Sequence, residues 1–197
     1  MFALVESGSI TKMLNGRRGI TIGDIQHPQQ IFTLWTEAER NAIGVYTVEM
    51  DESKKKDEKW YINTDITYSF GSDKVTGSYG DATAKPHADT LYTAQDETDG
   101  LGTEGEIKSE GLKTGLIRDV KAQAAGILTK TDWYVIRKTE EDTAIPSAIT
   151  THRRAVRSKA AAMETSITNA SDTPALETLY TYTEQEDGSV TRPLGEL

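Results

Sequence analysis

The chain has 197 residues, of which 36% are hydrophobic and 7% aromatic, with no cysteine and a formal net charge of −9. The lack of cysteine excludes disulfides, thiolate zinc sites and a cysteine nucleophile. No run approaches the about 20 apolar residues that a membrane-spanning helix needs. Because so low an apolar content favours thin modules that gain stability from partners, we predict an elongated, modular α+β protein with modules at 1–50, 51–106 and 107–197.

The first fifty residues predict a compact α+β module. Residues 2–5 and 20–22 are short apolar runs separated by turn-forming residues, which is typical of strands. Thr36 and Glu39 have the spacing of a capping box, so a helix is expected to begin there and to end at Gly44. A further strand is expected directly after that glycine.

The middle module predicts a β-hairpin followed by a long connector. Residues 60–70 alternate between apolar and polar side chains, imperfectly around Asn63, and residues 71–73 fit a hairpin turn. The return strand is expected at 74–79. Residues 80–106 are rich in Asp, Thr, Ala and Gly without a clear period, which indicates a partly irregular connector.

This middle region is also acidic. Residues 51–110 contain 14 Asp and Glu residues against 7 Lys and Arg residues, which is typical of a solvated surface. Residues 100–105 spell G-x-G-x-x-G, the spacing of a dinucleotide-binding turn. No apolar strand precedes them, and the surrounding carboxylates would repel a phosphate, so we interpret them as a loop.

The last module predicts a helical hairpin. One apolar stripe at helical spacing contains Leu112, Leu116, Ile117, Val120, Ala124, Ile127 and Leu128. After Pro146, a second stripe steps by four and three residues, the pattern of a helix that packs along another helix: Ile149, Arg153, Val156, Ala160, Met163 and Ile167. The length of this second stripe suggests surface left over for a neighbouring chain. A short β-hairpin is expected around residues 187–188.

The joint between these helices reads TDWYVIRK. Asp132 is expected to cap a short helix, with Trp133 and Tyr134 filling the bend as a buried packing joint. Arg137 or Arg153 is expected to pair with carboxylates of the neighbouring helix or of a partner chain.

No constellation in the sequence predicts an enzyme, a metal site or a cofactor. The three histidines lack metal-ligand spacing, no serine lies in a G-x-S-x-G elbow, and no pair of carboxylates is framed by regular structure. Arg154 and Arg157 are three residues apart, so they lie on one face of the helix and could together bind a carboxylate or a phosphate. The patch is small and has no interleaved aromatic residues, so nucleic-acid binding is not expected.

Two segments resemble small tail proteins of tailed bacteriophages, variously described as tail-fibre-associated, baseplate-associated or tail-assembly-chaperone-like. In the first, a short strand precedes a W-[ST]-x-x-E-R-x-x-[IL]-G helix, which here involves Trp35, Thr36, Glu39, Arg40, Ile43 and Gly44. In the second, an aromatic turn precedes a proline and an R-x-x-[VI]-R helix, here Thr131, Asp132, Trp133, Tyr134, Pro146, Arg153, Val156 and Arg157. The resemblance covers about residues 25–50 and 107–167.

The resemblance implies a non-enzymatic protein of the virion tail, made in the host cytoplasm. It leaves open whether the protein is a structural adaptor between tail or fibre proteins or an assembly chaperone that is absent from the mature particle. The exposed acidic hairpin and connector favour the structural component. The expected partners are other tail or baseplate proteins, with a homo-oligomer also possible and with no nucleic acid or membrane. The residues expected to bind partners are Trp35, Trp133, Tyr134, Arg153, Arg154 and Arg157.

Overall fold

The computed structural model describes all residues, 1–197, and the chain forms two compact units, Met1–Thr83 and Ala84–Leu197. Helices and strands are both present, which confirms the predicted α+β class. The boundary after Thr83 differs from the predicted module boundaries after residues 50 and 106. Residues 51–83 belong to the first unit because their hairpin pairs with its sheet.

The N-terminal unit is built on a five-stranded sheet. In chain order its elements are β1 (Phe2–Glu6), β2 (Ser9–Leu14), β3 (Ile20–Ile22), β4 (Ile25–His27), a 3-10 helix (Gln29–Phe32), α1 (Glu37–Ala42), β5 (Val45–Asp51), β6 (Tyr61–Ile62), β7 (Thr67–Gly71) and β8 (Lys74–Ser78). The sheet has the order β2-β1-β5-β8-β7, in which only β5 and β8 run parallel. The edge strands β2 and β7 contact each other, so the sheet curls towards closure.

Strand β1 is buried on both faces. Because successive side chains of a strand point to opposite faces, Leu4 packs under the 3-10 helix whereas Ala3 and Val5 pack with Val75 of the hairpin. A strand that is covered on both sides reads as a continuous apolar run rather than an alternation, which explains the sequence FALV at this position.

Helix α1 follows its predicted signals. The backbone N–H of Thr36 donates to the Glu39 carboxylate at 2.7 Å, and the Glu39 N–H donates to the Thr36 hydroxyl at 3.3 Å. The helix ends one residue before Ile43, and Gly44 adopts a φ of +79°. A Cβ at Gly44 would lie 2.6 Å from the Val5 carbonyl oxygen, so this position requires glycine both for its conformation and for space.

The predicted hairpin is present, with Ser72 and Asp73 at φ values of 53° and 58° in its turn. The predicted strand at 60–70 is interrupted, because only Tyr61–Ile62 and Thr67–Gly71 are extended. The Asn63 amide donates to the Lys56 carbonyl and accepts from the Lys56 N–H. This side chain therefore engages the backbone of an adjoining loop, and regular strand pairing stops at the imperfection in the pattern.

The C-terminal unit is mainly helical. Strand β9 (Thr83–Ala84) lies at the boundary, and the unit continues with β10 (Thr90–Leu91), α2 (Ala94–Thr98), β11 (Ile107–Ser109), α3 (Leu112–Thr129), α4 (Asp132–Glu141), α5 (Ser147–Asn169), α6 (Thr173–Tyr180), β12 (Thr183–Glu184) and β13 (Val190–Thr191). The hairpin of β12 and β13 confirms the turn predicted at residues 187–188. Helix α6, capped by the Asp172 carboxylate, is not among the elements predicted from the sequence.

Helices α3 and α5 form the predicted antiparallel hairpin. Near one end, Arg153 of α5 reaches the Leu128 carbonyl of α3, and near the other, Lys113 of α3 reaches the Thr168 carbonyl of α5. The stepping pattern of α5 is confirmed, since five of its positions are buried: Arg153, Val156, Ala160, Met163 and Ile167. The stripe that was expected to remain for a neighbouring chain is thus covered within the chain by α3.

The connector before α3 caps that helix. The carbonyls of Pro86 and His87 accept the N–H groups of Leu112 and Lys113 at 3.0 Å. The Asp89 carboxylate accepts from the Gly111 N–H and from the Thr114 hydroxyl, both at 2.7 Å. Amide groups that a helix N-terminus leaves without partners are satisfied in this way, so the start of the predicted connector has a fixed structure.

Candidate functional site

Arg153 of α5 connects this helix to the end of α3 and the start of α4, and we call this contact the joint of the C-terminal unit. Only 6% of the residue is exposed, and its guanidinium donates to the Leu128 carbonyl, the Thr131 hydroxyl and the Asp132 carboxylate at 2.8, 2.6 and 2.8 Å. The predicted ion pair with the neighbouring helix is therefore present. The expectation that Arg153 contacts a partner chain is corrected, because all these contacts lie inside the unit and little of the side chain faces solvent.

A groove opens beside this joint, between α4, the 142–146 segment and α5. Its volume is about 540 Å³, and it is lined by Val135, Ile145, Thr150, Arg153, Arg154, Arg157 and Ser158. We call it the arginine groove. Arg154 and Arg157 lie on one face of the helix as predicted, whereas the apolar lining residues Val135 and Ile145 were not predicted from the sequence.

The electrostatics of the arginine groove are set by its two exposed arginines. The ion pairs of the C-terminal unit are formed by other cations, namely Lys108, Arg118, Lys121, Lys138, Arg153 and Arg192. Arg154 and Arg157 therefore bring two uncompensated positive charges to an apolar concavity. Guanidinium groups in this setting favour carboxylate or phosphate ligands, with the apolar lining available to an adjacent side chain.

The other side of α4 carries Trp133, Tyr134, Ile136 and Arg137, which we call the aromatic face. The Trp133 and Tyr134 rings lie 3.9 Å apart, and the Arg137 guanidinium lies 4.7 Å from the centre of the Trp133 ring. Trp133 is 50% exposed and Ile136 55% exposed. The prediction that the ring pair fills the bend is therefore wrong for Trp133: α4 extends over ten residues and directs this ring outwards, while Arg153 occupies the joint.

Trp35 lies in the N-terminal unit, half-buried against the core cluster beneath the 3-10 helix. The centres of its ring and of the His27 ring lie 5.9 Å apart with the ring planes nearly perpendicular, and the Trp35 carbonyl accepts from the Arg40 guanidinium. The adjacent Leu34 is 76% exposed. Trp35 thus has a packing role here, and its predicted role in partner binding stays a prediction.

A second feature of the C-terminal unit is the segment 96–106, which we call the acidic loop. It contains five carboxylates: Asp96, Glu97, Asp99, Glu104 and Glu106. Asp96 caps α2 together with Thr93 and pairs with Lys108 at 2.6 Å. Leu101 projects from the tip of the loop and is 60% exposed. The interpretation of residues 100–105 as a loop agrees with their turn structure.

The sequence contains a signal for this exposed acidic loop. The carboxylates around Leu101 argue against phosphate binding. The same carboxylates, together with the flanking residues Gly100 and Gly102, also indicate an exposed apolar side chain surrounded by negative charge. The capping residues Thr93 and Asp96 also have the three-residue spacing of a helix start.

We expect the hydrogen bond from Lys108 and the bond from the Thr93 backbone to hold the pKa of Asp96 at about 2. Because this pKa is lower than the about 3.9 of an unfolded aspartate, the stabilisation it represents is present above pH 4 and is lost as the pH falls through 2. Carboxyl NMR titration should show this pKa rising in Lys108→Met. An unchanged pKa in that variant would contradict the assigned contact.

Replacement of Trp133 by alanine is expected to lower the free energy of unfolding by only about 1 kcal/mol, since half of the residue is exposed and the main loss is its stacking on Tyr134 and Arg137. Ile167→Ala, in a fully buried position of the same unit, should cost about 2–5 kcal/mol. Urea unfolding of both variants measures the difference. Equal losses would mean that Trp133 is a core residue.

No group of three or more His, Asp or Glu side chains in residues 1–197 is placed to hold a metal ion. None of the six α-helices combines the length and the apolar character needed to cross a membrane. No protein-family model matches the chain, and neither a curated protein nor a solved structure matches it significantly.

Proposed function

We propose that this chain is a structural component of a bacteriophage tail or baseplate, a non-enzymatic adaptor that connects tail or fibre proteins by packing contacts. The observation that carries the proposal is the α4 helix, which has the aromatic face on one side and the arginine groove on the other. The resemblance of residues 25–50 and 107–167 to small tail proteins supports the assignment to a tail.

The chemistry of α4 supports a binding role. Trp, Tyr and Arg are the residues that most often dominate the energy of protein interfaces, since they bury a large area at a small entropic cost. Trp133, Tyr134 and Arg137 form one contiguous stack whose largest ring is half-exposed. An internal packing role does not account for this exposure, because Arg153 already holds the joint between α3 and α5.

Quantitative mass spectrometry of purified particles of the encoding phage tests the proposal. We expect the chain in a fixed ratio to known tail proteins, and we expect particles grown with Trp133→Ala to contain less of it. A matched Trp60→Phe substitution in the core of the N-terminal unit controls for general effects of changing a tryptophan. Presence in infected cells but absence from particles would favour the assembly chaperone and overturn the structural component.

A further inference from the structure

Hydrogen bonds within the chain hold the backbone of the acidic loop. The Leu101 N–H donates to the Asp96 carbonyl at 2.9 Å, and Tyr92 and Glu106 pair through their backbone across the base of the loop at 2.9 Å. The Tyr92 ring packs so closely on Gly102 that a Cβ there would lie 2.6 Å from it. Since these contacts restrain the loop within the single chain, docking of Leu101 would cost little conformational entropy.

The charges of the acidic loop are largely uncompensated within the chain. Of its five carboxylates only Asp96 forms an ion pair, with Lys108. Glu97 accepts a backbone N–H, and Asp99 accepts from the Gln95 amide, but neither bond neutralises its charge. Between these carboxylates and Glu104 lies the exposed Leu101. The loop therefore presents one apolar side chain surrounded by negative charge.

The arginine groove is the complement of this surface in each respect. It is concave where the loop projects, it carries Arg154 and Arg157 where the loop carries carboxylates, and its apolar lining includes Val135 and Ile145. Leu101 is 60% exposed, so it does not occupy the groove of its own chain. The acidic loop of one copy could therefore bind the arginine groove of a second copy.

We propose that the protein self-associates head to tail, with the acidic loop of one copy docked in the arginine groove of the next. Leu101 contacts Val135 and Ile145, and the carboxylates of Glu97 and Glu104 face Arg154 and Arg157. Such a contact uses two different surfaces, so repetition generates a ring if the rotation closes and a filament if it does not. The inference deepens the proposed function, on which it rests for treating the arginine groove as a binding site.

A complementation experiment with the full chain tests the contact. Leu101→Ser should abolish association through the loop, and the double substitution Arg154→Glu with Arg157→Glu should abolish it through the groove. Sedimentation analysis at low salt should find wild type associated and each variant monomeric. An equimolar mixture of the two variants retains one intact loop and one intact groove, so it should form dimers and no larger species.

Matched controls separate this contact from general changes of charge or hydrophobicity. Lys159→Glu reverses a charge on α5 outside the groove lining, and Ile25→Ser removes an exposed apolar side chain of the N-terminal unit; both should associate like wild type. Rising salt should weaken the association, since charges of opposite sign meet at the contact.

Two results would overturn the inference: a wild-type chain that is monomeric at all concentrations, or association that the loop and groove variants leave unchanged. Neither result bears on the presence of the chain in phage particles, which mass spectrometry measures separately. A monomeric chain found in particles would refute self-association and leave the proposed function standing. A chain that self-associates but is absent from particles would refute the proposed structural role and leave self-association standing.

Discussion

Replacement of Arg153 by methionine is expected to destabilise the C-terminal unit by about 2–4 kcal/mol. The guanidinium donates three hydrogen bonds in an almost fully buried position, and methionine retains much of the apolar stem but none of the donors. The loss removes the charged donor from the Leu128 carbonyl and from the Thr131 hydroxyl oxygen, although this carbonyl still accepts from the Thr131 N–H and hydroxyl. The Asp132 side chain is 49% exposed, so water partly replaces its lost bond and keeps the cost below that of a fully buried charge.

Arg154→Met is the matched control, since it makes the same chemical change at the next residue of the same helix. Arg154 is exposed and lines the arginine groove, so its replacement should change the free energy of unfolding by no more than about 0.5 kcal/mol. Urea unfolding with hydrogen exchange of the α3 and α5 amides measures both variants. Equal effects of the two substitutions would show that Arg153 is not the joint between the helices.

The sequence pattern of α5 predicts that Arg153 is buried but not which groups it contacts. The stepping of α5 includes an arginine among apolar residues, and each of its central positions, from Arg153 to Ile167, is buried. The period therefore predicts which side chains face α3. It cannot tell which polar groups the arginine meets, because Leu128, Thr131 and Asp132 belong to the end of one helix and the start of another, whose relative placement depends on the whole hairpin.

Local signals predicted local structure well. The capping box of Thr36, the glycine at residue 44 and the turn at residues 72–73 are all present, because each depends on contacts within a few residues. The parallel pairing of β5 with β8 depends on a long-range contact that no local pattern specifies. That pairing joins residues 51–83 to the N-terminal sheet and shifts the boundary between units from the predicted positions.

Trp133 illustrates the opposite case, in which residue type misled the prediction. An aromatic pair between two amphipathic helices indicates a buried bend on average, because large rings usually contribute to cores. Here α4 continues for ten residues, and Trp133 lies on its outer side with Ile136. The same observation supports the proposal that α4 is a binding surface, since half of the Trp133 residue remains exposed although its ring stacks on Tyr134 and Arg137.

Replacement of Gly111 by alanine is expected to destabilise the protein by about 3 kcal/mol or more, through overpacking against the backbone. A Cβ at Gly111 would lie 2.3 Å from the carbonyl carbon and oxygen of Ala88. Both atoms belong to the backbone rather than to a flexible side chain. The connector segment that caps α3 must therefore move. Its movement would also break the bond from the Gly111 N–H to Asp89.

Gly126→Ala, inside the helix that Gly111 precedes, should change the stability in the opposite direction. No heavy atom lies within 4 Å of a Cβ built at Gly126, and the residue is exposed in the interior of α3. Alanine favours a helix over glycine by about 1 kcal/mol, so the free energy of unfolding should rise by up to that amount. Thermal unfolding of the two variants decides whether the connector is clamped to α3: a Gly111→Ala chain as stable as Gly126→Ala would mean that the cap opens without cost.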